Sequence, residues 1–130
     1  MDERFHQGIR EFNERRFFEA HDVLEDFWHE YREADRTFLQ GLIQVAVGFY
    51  HLENGNYKGS RSQFTKAIAK LQDYLPDHHG IETQHFLAHV KQWLSTVEQL
   101  EQGATVAVDY NNFPSIEYLS EHRSLRNSLT

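Results

Sequence analysis

"FLQGLIQVAVGFY", residues 38–50, is the longest apolar stretch in the chain, and it decides the fold class. It is 13 residues long and contains two glutamines, whereas a membrane-spanning helix needs about 20 apolar residues. Apolar side chains surround most of the helix that this stretch would form, which predicts a helix buried in a protein core. We place this helix C at about 36–54. "ENGN" follows it, where Gly55 predicts a left-handed C-terminal cap.

Apolar residues at helical spacing continue on both sides of this stretch. They predict helix A at about 2–12, helix B at about 17–33, helix D at about 57–75 and helix E at about 82–102. Pro76 ends helix D, and Gly103 ends helix E. Short connections favour antiparallel hairpins like those of tetratricopeptide repeats. The predicted fold is therefore all-α, a single compact bundle of about five helices over residues 1–103.

The tail from residue 104 to 130 has a different pattern, beginning "ATVAVDYNNFPSIEYL". Short apolar pieces around a Phe-Pro step predict an extended segment that packs back on the bundle through Tyr110, Phe113 and Ile116. A short helix is expected to follow from Ser115. The final stretch, "SEHRSLRNSLT", is expected to be mobile.

Composition excludes several classes of function. The net charge is −7, from 13 basic and 20 acidic residues, which argues against a nucleic-acid partner. The chain has no cysteine, so disulfides, zinc–thiolate sites and thiol nucleophiles are excluded. The N-terminus is charged from its second residue and does not resemble a secretory signal. We expect a soluble, cytoplasmic protein with no membrane partner, and the apolar excess on helices C and E leaves room for a homodimer.

Helix B carries polar residues that a simple bundle does not require. On a helical wheel, His21, Glu25, Trp28 and Arg32 fall in a narrow sector beside the apolar face. His21 and Glu25 are one turn apart, so their side chains can touch. Such a pair can act as an oriented general base or as two metal ligands, and it is also common as an ordinary surface pair.

Helix C has one polar stripe, and that stripe is uncharged from residue 37 to residue 52. A stripe facing water normally contains Lys and Glu, so this one is expected to be semi-buried. Buried amides and imidazoles need hydrogen-bond partners, and the neighbouring face of helix B offers them. The predicted polar cluster between helices B and C consists of His21, Glu25, Gln40, Gln44 and His51, with Arg36 near one end.

Three interpretations of this cluster stay open. It binds a small polar ligand in a binding or scaffold protein, and the acidic face of helix B meets a protein partner. Alternatively, His21, His51 and Glu25 hold a divalent metal in a hydrolase, because two histidines and a carboxylate are a ligand set for zinc or iron. In that case Gln40 and Gln44 would orient the substrate. In the third interpretation the cluster is purely structural and fixes the helix register. A divalent metal is the one cofactor that these interpretations involve.

Other histidines compete for the role of metal ligand. His85 and His89 are one turn apart on helix E, and His78 and His79 lie in the loop "PDHHG" before it. They could form an adventitious metal site, although a solvated helix face is the favoured interpretation. We find no Gly-rich phosphate loop and no Ser–His–Asp set in the sequence.

"FNERRFFEAHDVLEDFW" followed by "RTFLQGLIQVAVGFYHLENGNYKGS" resembles domain-of-unknown-function family 309, small helical proteins of bacteria, archaea and plants. The resemblance covers about residues 5–75. It implies an all-α fold of packed helical hairpins and implies no reaction. The positions that match the family's pattern include Glu19, His21, Glu25, Trp28, Arg36, Gln40, Gln44 and His51. The resemblance adds Glu19 to the cluster, although the helical wheel points this side chain away from His21.

Overall fold

A computed structural model describes residues 1–119 of the chain. Within them it contains five α-helices, two short 3-10 turns and three two-residue strands. The helices are α1 (Glu3–Asn13), α2 (Phe17–Glu30), α3 (Arg36–Glu53), α4 (Tyr57–Leu71) and α5 (Gln84–Glu101). The 3-10 turns are Gln72–Tyr74 and Tyr110–Asn112, and the strands are β1 (Asp77–His78), β2 (Ile81–Glu82) and β3 (Glu117–Tyr118). The predicted all-α helical bundle is confirmed.

Two helices end earlier than the sequence predicted. α2 ends at Glu30 rather than at about residue 33, because Tyr31 adopts an extended backbone. α4 ends at Leu71, and a 3-10 turn carries the chain to the residues before Pro76. Five residues, 31–35, therefore connect α2 to α3, and Asp35 is the last of them.

Each helix packs chiefly on the next one along the chain, and consecutive helices run antiparallel. Arg4, near the start of α1, forms an ion pair with Glu30 at the end of α2. Arg61, near the start of α4, forms an ion pair with Glu101 at the end of α5. Short connections make such hairpins the simplest arrangement. No helix within residues 1–119 is long and apolar enough to cross a membrane.

Phenylalanine rings fill the core, and Phe49 of α3 lies at their centre. Its ring contacts aromatic rings contributed by α1, α2, α4, α5 and the segment that follows α5. These partners are Phe12, Phe17, Phe64, Trp93 and Phe113. Burial of large aromatic side chains is the main source of stability in such a core. The rest of the bundle therefore surrounds α3, which is the predicted helix C.

Two glycines on α3 allow α4 to approach closely. A methyl group at Gly48 would lie 2.4 Å from the ring of Phe64, and one at Gly41 would lie 2.8 Å from Leu71. Any larger residue at either position would push the helices apart. This close packing brings the polar residues of α4 within reach of those on α3.

The hairpin between α4 and α5 was predicted only as a loop. β1 and β2 pair antiparallel around a two-residue turn, His79-Gly80, and β3 from the tail pairs with β2. The expected short helix after Ser115 is wrong, since Glu117 and Tyr118 form this third strand. Two-residue strands are too short to produce a detectable alternation, and β3 pairs with residues distant in sequence.

Part of the tail lies in the core. Phe113 and Ile116 are buried, whereas Tyr110 is half exposed. Asn13 and Arg15, at the end of α1, donate hydrogen bonds to backbone carbonyls of residues 113–116. The division into a bundle (1–103) and a tail (104–130) stays a prediction, and the stretch expected to be mobile lies outside the described residues.

Candidate functional site

A pocket of about 310 Å³ lies where α2, α3 and α4 meet, and we call it the α2–α3–α4 pocket. It has polar and apolar walls. The lining residues are His21, Glu25, Trp28, Gln40, Ile43, Gln44, Val47 and Gln63. Five of the eight site residues predicted from the sequence are among them. His21, Glu25 and Trp28 of the predicted helix B therefore line the same pocket as Gln40 and Gln44 of helix C.

Helical spacing accounts for this arrangement. On α2, His21, Glu25 and Trp28 are separated by four and three residues, and on α3 Gln40 and Gln44 are separated by four. Residues at these separations share one face of a helix. Ile43 and Val47 of α3 and Gln63 of α4 complete the lining.

The ring nitrogen Nε2 of His21 lies 2.9 Å from Oε2 of Glu25. The other carboxylate oxygen, Oε1, lies 3.7 Å from Nε2 of His29. The His21 side chain is 27% exposed and that of Glu25 is 44% exposed, so both remain accessible to a ligand. The pair supplies the pocket with a hydrogen-bonding imidazole and one carboxylate.

Two buried polar atoms of pocket residues have no hydrogen-bond partner among residues 1–119. They are Oε1 of Gln44 and Nε1 of Trp28. A buried polar atom without a partner costs about 1–3 kcal/mol, so native proteins contain few. Ser60 Oγ also has no partner within the described part of the chain, but Ser60 does not line the pocket.

Arg36 lies behind Trp28 rather than in the pocket wall. Its guanidinium carbon is 3.7 Å from the centre of the Trp28 ring, and its Nε donates a hydrogen bond of 3.1 Å to the Trp28 carbonyl. A guanidinium over an indole face is an attractive contact. Arg36 therefore positions Trp28 and does not line the cavity.

His51 and Glu19 lie outside the α2–α3–α4 pocket. His51 lines a smaller, apolar cavity of about 140 Å³ with Phe18, His21, Val47 and Tyr50. Nδ1 of His51 is 3.3 Å from Nδ2 of Asn56. Glu19 is exposed, as the helical wheel indicated.

The ligand atoms of His21, Glu25 and His51 do not form a compact set of three. Within residues 1–119, one group of three histidine or acidic side chains has ligand atoms that all lie within 4.8 Å of one another. That group contains none of these three residues. His51 is almost two turns beyond Gln44 on α3, and this distance along the helix separates it from Glu25. The predicted metal site at these three residues has no geometric support within the described part of the chain.

That other group consists of Asp35, His78 and His79, which we call the histidine cluster. Oδ2 of Asp35 lies 2.8 Å from Nε2 of His78 and 2.5 Å from Nε2 of His79. The hydroxyl of Tyr31 donates a 2.7 Å hydrogen bond to the other oxygen, Oδ1. The cluster joins the connection between α2 and α3 to the β1–β2 hairpin.

These contacts change the pKa of two groups. Burial would raise the pKa of Asp35, but hydrogen bonds from Tyr31, His78 and His79 outweigh it and lower that pKa to about 2. Burial and the hydrogen bond to the Asp35 carboxylate raise the pKa of Tyr31 to about 12. Near neutral pH, Asp35 is therefore ionised and Tyr31 carries its proton.

Sequence reasoning did not identify Asp35 or Gln63. Asp35 is 43 residues from His78, and pairing over that distance has no local signal. The adjacent histidines of "PDHHG" were the available clue, and they were grouped with His85 and His89 of α5. His85 instead contacts Glu82 and is almost fully exposed.

Comparison with known proteins supports the family resemblance. Residues 5–63 match the model of a family described as "Domain of unknown function (DUF309)". The resemblance found in the sequence is confirmed over these residues. They include Asp35 and every residue of the α2–α3–α4 pocket, whereas His78 and His79 lie beyond them.

Two curated relatives are similar to part of the chain. "Uncharacterized protein YpuF" of Bacillus subtilis (strain 168) is 34% identical over 69 residues, which cover 52% of this chain and 38% of that protein. An "Uncharacterized protein" of Aquifex aeolicus (strain VF5) is 23% identical over 83 residues, covering 63% of this chain and 25% of that protein. The chain thus spans well under half the length of either relative. Neither name states an activity.

Proposed function

We propose that the α2–α3–α4 pocket, which lies within the residues that match the family, binds a small molecule rich in hydrogen-bond donors, such as an amide or amine. The protein would then act as a binding module. The observation that carries the proposal is that Gln44, a residue of the pocket lining, has a buried Oε1 with no hydrogen-bond partner among residues 1–119. A ligand N–H would supply the missing partner and recover the free energy that the unpaired oxygen costs.

The size and walls of the pocket support a small ligand. Binding sites for small molecules are typically about 300–1,000 Å³, and this pocket is near the lower end. Ile43 and Val47 give it an apolar side, while three glutamines offer amide groups. Such a mixture suits a compact polar molecule with a short apolar portion.

The charge of the pocket favours a neutral or cationic ligand. Glu25 is the acidic residue in the lining, and neither Lys nor Arg is among the lining residues. The whole chain has a net charge of −7. An anion would therefore lack a cationic partner and would meet like charge.

Trp28 offers the ligand a flat apolar surface and one N–H donor. Its Nε1 is buried and unpaired among the described residues, and the contact with the Arg36 guanidinium fixes the ring. A ligand carbonyl could accept from this N–H while a ligand N–H donates to Gln44. An amide group contains both functions.

The two tryptophans provide the test. Nε1 of Trp93 already donates a 3.1 Å hydrogen bond to the carbonyl of Asn112, so its indole N–H resonance serves as an internal reference. We would titrate ¹⁵N-labelled protein with propionamide, with agmatine and with propionate, which has the shape of propionamide but no N–H group. Trp28→Phe assigns the two indole resonances.

We expect propionamide or agmatine to shift the Trp28 resonance and to leave that of Trp93 unchanged. Propionate is expected to shift neither. Gln44→Met should abolish the shift, whereas the exposed Gln99→Met on α5 should not. A shift produced equally by propionate, or no shift from either donor, would contradict the proposal.

The other expectations about this chain also stay predictions. These are a cytoplasmic location, the absence of a nucleic-acid partner and room for a homodimer. Light scattering at increasing protein concentration tests the last of them, because a dimer doubles the molar mass.

A further inference from the structure

The histidine cluster lies apart from the α2–α3–α4 pocket and shares no residue with it. We propose that Asp35, His78 and His79 form a binding site for a divalent transition-metal ion of the zinc type. This inference is independent of the ligand proposed for the pocket. It rests on the donor set, on the residues that hold it and on the backbone that carries it.

The donor set is the one that zinc and neighbouring metals prefer. Two imidazole nitrogens and one carboxylate oxygen lie within 4.8 Å of one another. Zinc binds such ligands at about 2.0–2.2 Å in tetrahedral geometry, which separates the ligand atoms by about 3.3 Å. The two rings would have to withdraw from Asp35 by less than about 1 Å to accept an ion.

Asp35 is held in place as metal-binding carboxylates usually are. Tyr31 donates to Oδ1, which leaves Oδ2 directed at the two histidines. Hydrogen bonds of this kind orient ligands and tune their affinity for the metal. Asp35 also occupies the N-cap position of α3, where an aspartate normally accepts from the helix backbone, yet its side chain makes no capping hydrogen bond.

The backbone at His79 adds a separate observation. His79 has φ +48° and Gly80 has φ +75°, so both turn residues adopt the left-handed conformation. Turns of this type favour Asn-Gly or Gly-Gly, and histidine is, with asparagine and aspartate, enriched among the non-glycine residues that adopt positive φ. From this turn position the ring of His79 reaches the carboxylate of Asp35.

The cluster is also accessible. The side chain of His79 is 39% exposed and that of His78 is 27% exposed. The Phe38 and Tyr74 rings, each 4.7 Å from the His78 ring, fix its orientation. Three protein ligands at the surface leave a fourth coordination position for water or another molecule.

The test is a titration of the untagged 130-residue chain with Co²⁺, whose visible absorption reports low-coordinate binding by nitrogen and oxygen ligands. We expect saturation at about one equivalent and displacement by Zn²⁺. Tyr31→Phe should weaken the affinity about 10- to 100-fold, since it removes the hydrogen bond that orients Asp35.

His79→Asn separates a metal ligand from a structural contact. Asn-Gly is the preferred pair for this turn, so the hairpin is expected to keep its fold. Loss of the Co²⁺ absorption in a variant with unchanged thermal stability would support the proposal. His85→Ala combined with His89→Ala removes two histidines from α5 and should leave the absorption intact.

Four results would overturn the proposal, three of which come from the proteins already described. These three are wild-type protein with no saturable Co²⁺ absorption, His79→Asn with wild-type affinity, and loss of the absorption in the α5 double variant. Asp35→Asn provides a second check at an unstrained position. If that variant is folded and still binds Co²⁺ as the wild type does, the site is not at Asp35.

Discussion

The α2–α3–α4 pocket and the histidine cluster differ in whether their polar side-chain atoms have partners. In the pocket, Gln44 and Trp28 have buried polar atoms without partners among residues 1–119. In the cluster, both oxygens of Asp35 have partners, and the histidine rings are partly exposed. A ligand in the pocket would, under our proposal, supply the hydrogen bonds that Gln44 and Trp28 lack. A cluster of paired ligand atoms can exchange its hydrogen bonds for bonds to a metal.

The two sites also differ in how the chain assembles them. Local helical spacing on α2 and α3 places most of the pocket, and α4 completes it because Gly41 and Gly48 allow close packing. The cluster joins residues 43 and 44 positions apart in sequence across a helix connection and a hairpin turn. Its geometry therefore depends on tertiary packing beneath the hairpin. Substitutions beneath the hairpin and at the contact between α3 and α4 should therefore affect the two sites differently.

Phe38→Ala should have the largest effect and should act on the cluster. Phe38 is fully buried, and its ring lies 4.7 Å from His78 and 5.4 Å from Tyr74. Removing a buried phenylalanine ring typically costs about 3–5 kcal/mol. We expect that loss in urea unfolding, together with weaker Co²⁺ binding under native conditions. Phe18→Ala is the matched control, because Phe18 is 52% exposed and its loss should change stability by under about 0.5 kcal/mol. A loss below about 1 kcal/mol for Phe38→Ala would show that the hairpin does not depend on this ring.

Gly48→Ala should affect the pocket more than the cluster. Alanine favours a helix by about 1 kcal/mol over glycine, but its methyl group would lie 2.4 Å from Phe64. Forcing an extra carbon into a close-packed interface costs about 1–3 kcal/mol, so we expect a net loss of stability. Separation of α4 from α3 should also weaken the ligand response of Trp28.

The double variant Gly48→Ala, Phe64→Leu tests the physical reason. A smaller side chain at position 64 makes room for the methyl group, so the two changes should cost less together than the sum of their separate effects. Strict additivity would contradict the contact between these two positions.

The sequence predicted the bundle well because its main signal is local. Helix C is apolar on most of its surface, and such a pattern has few solutions other than a central helix. Gly55 also has φ +73°, as the predicted left-handed cap requires. Helix ends, the 3-10 turn after α4 and the two-residue strands depend on tertiary contacts, and periodicity does not detect them.

The residues of the candidate sites could likewise be predicted where helical spacing places them, and not where tertiary packing does. His21, Glu25, Gln40 and Gln44 could be placed together because i, i+4 spacing fixes which helix face they share. His51 was included because it continues the stripe, but it lies too far along α3 and lines a different cavity. Asp35 and Gln63 could not be found, since each reaches its site through the packing of separate elements.

Gln44→Met tests whether the unpaired oxygen has a cost in the free protein. Methionine has a similar shape and needs no hydrogen bond, so we expect stability to rise by about 1 kcal/mol while ligand binding is lost. Thermal unfolding of the ligand-free protein measures the change. Gln99→Met, on the exposed surface of α5, should change stability by under about 0.5 kcal/mol. A loss of more than about 1 kcal/mol in Gln44→Met would mean that the amide makes a stabilising contact in solution.

Glu25→Gln should have the smallest effect on stability and a clear effect on binding. The pair with His21 is partly exposed, and i, i+4 pairs of this kind contribute about 0.2–0.5 kcal/mol. Binding of the cation agmatine should fall, because the pocket loses its carboxylate, whereas binding of neutral propionamide should change little. Glu19→Gln is the matched control: it makes the same chemical change on the same helix, at an exposed position outside the pocket. If Glu25→Gln instead lowers stability strongly and leaves agmatine binding unchanged, the His21–Glu25 pair serves the helix register, as the structural interpretation of the cluster holds.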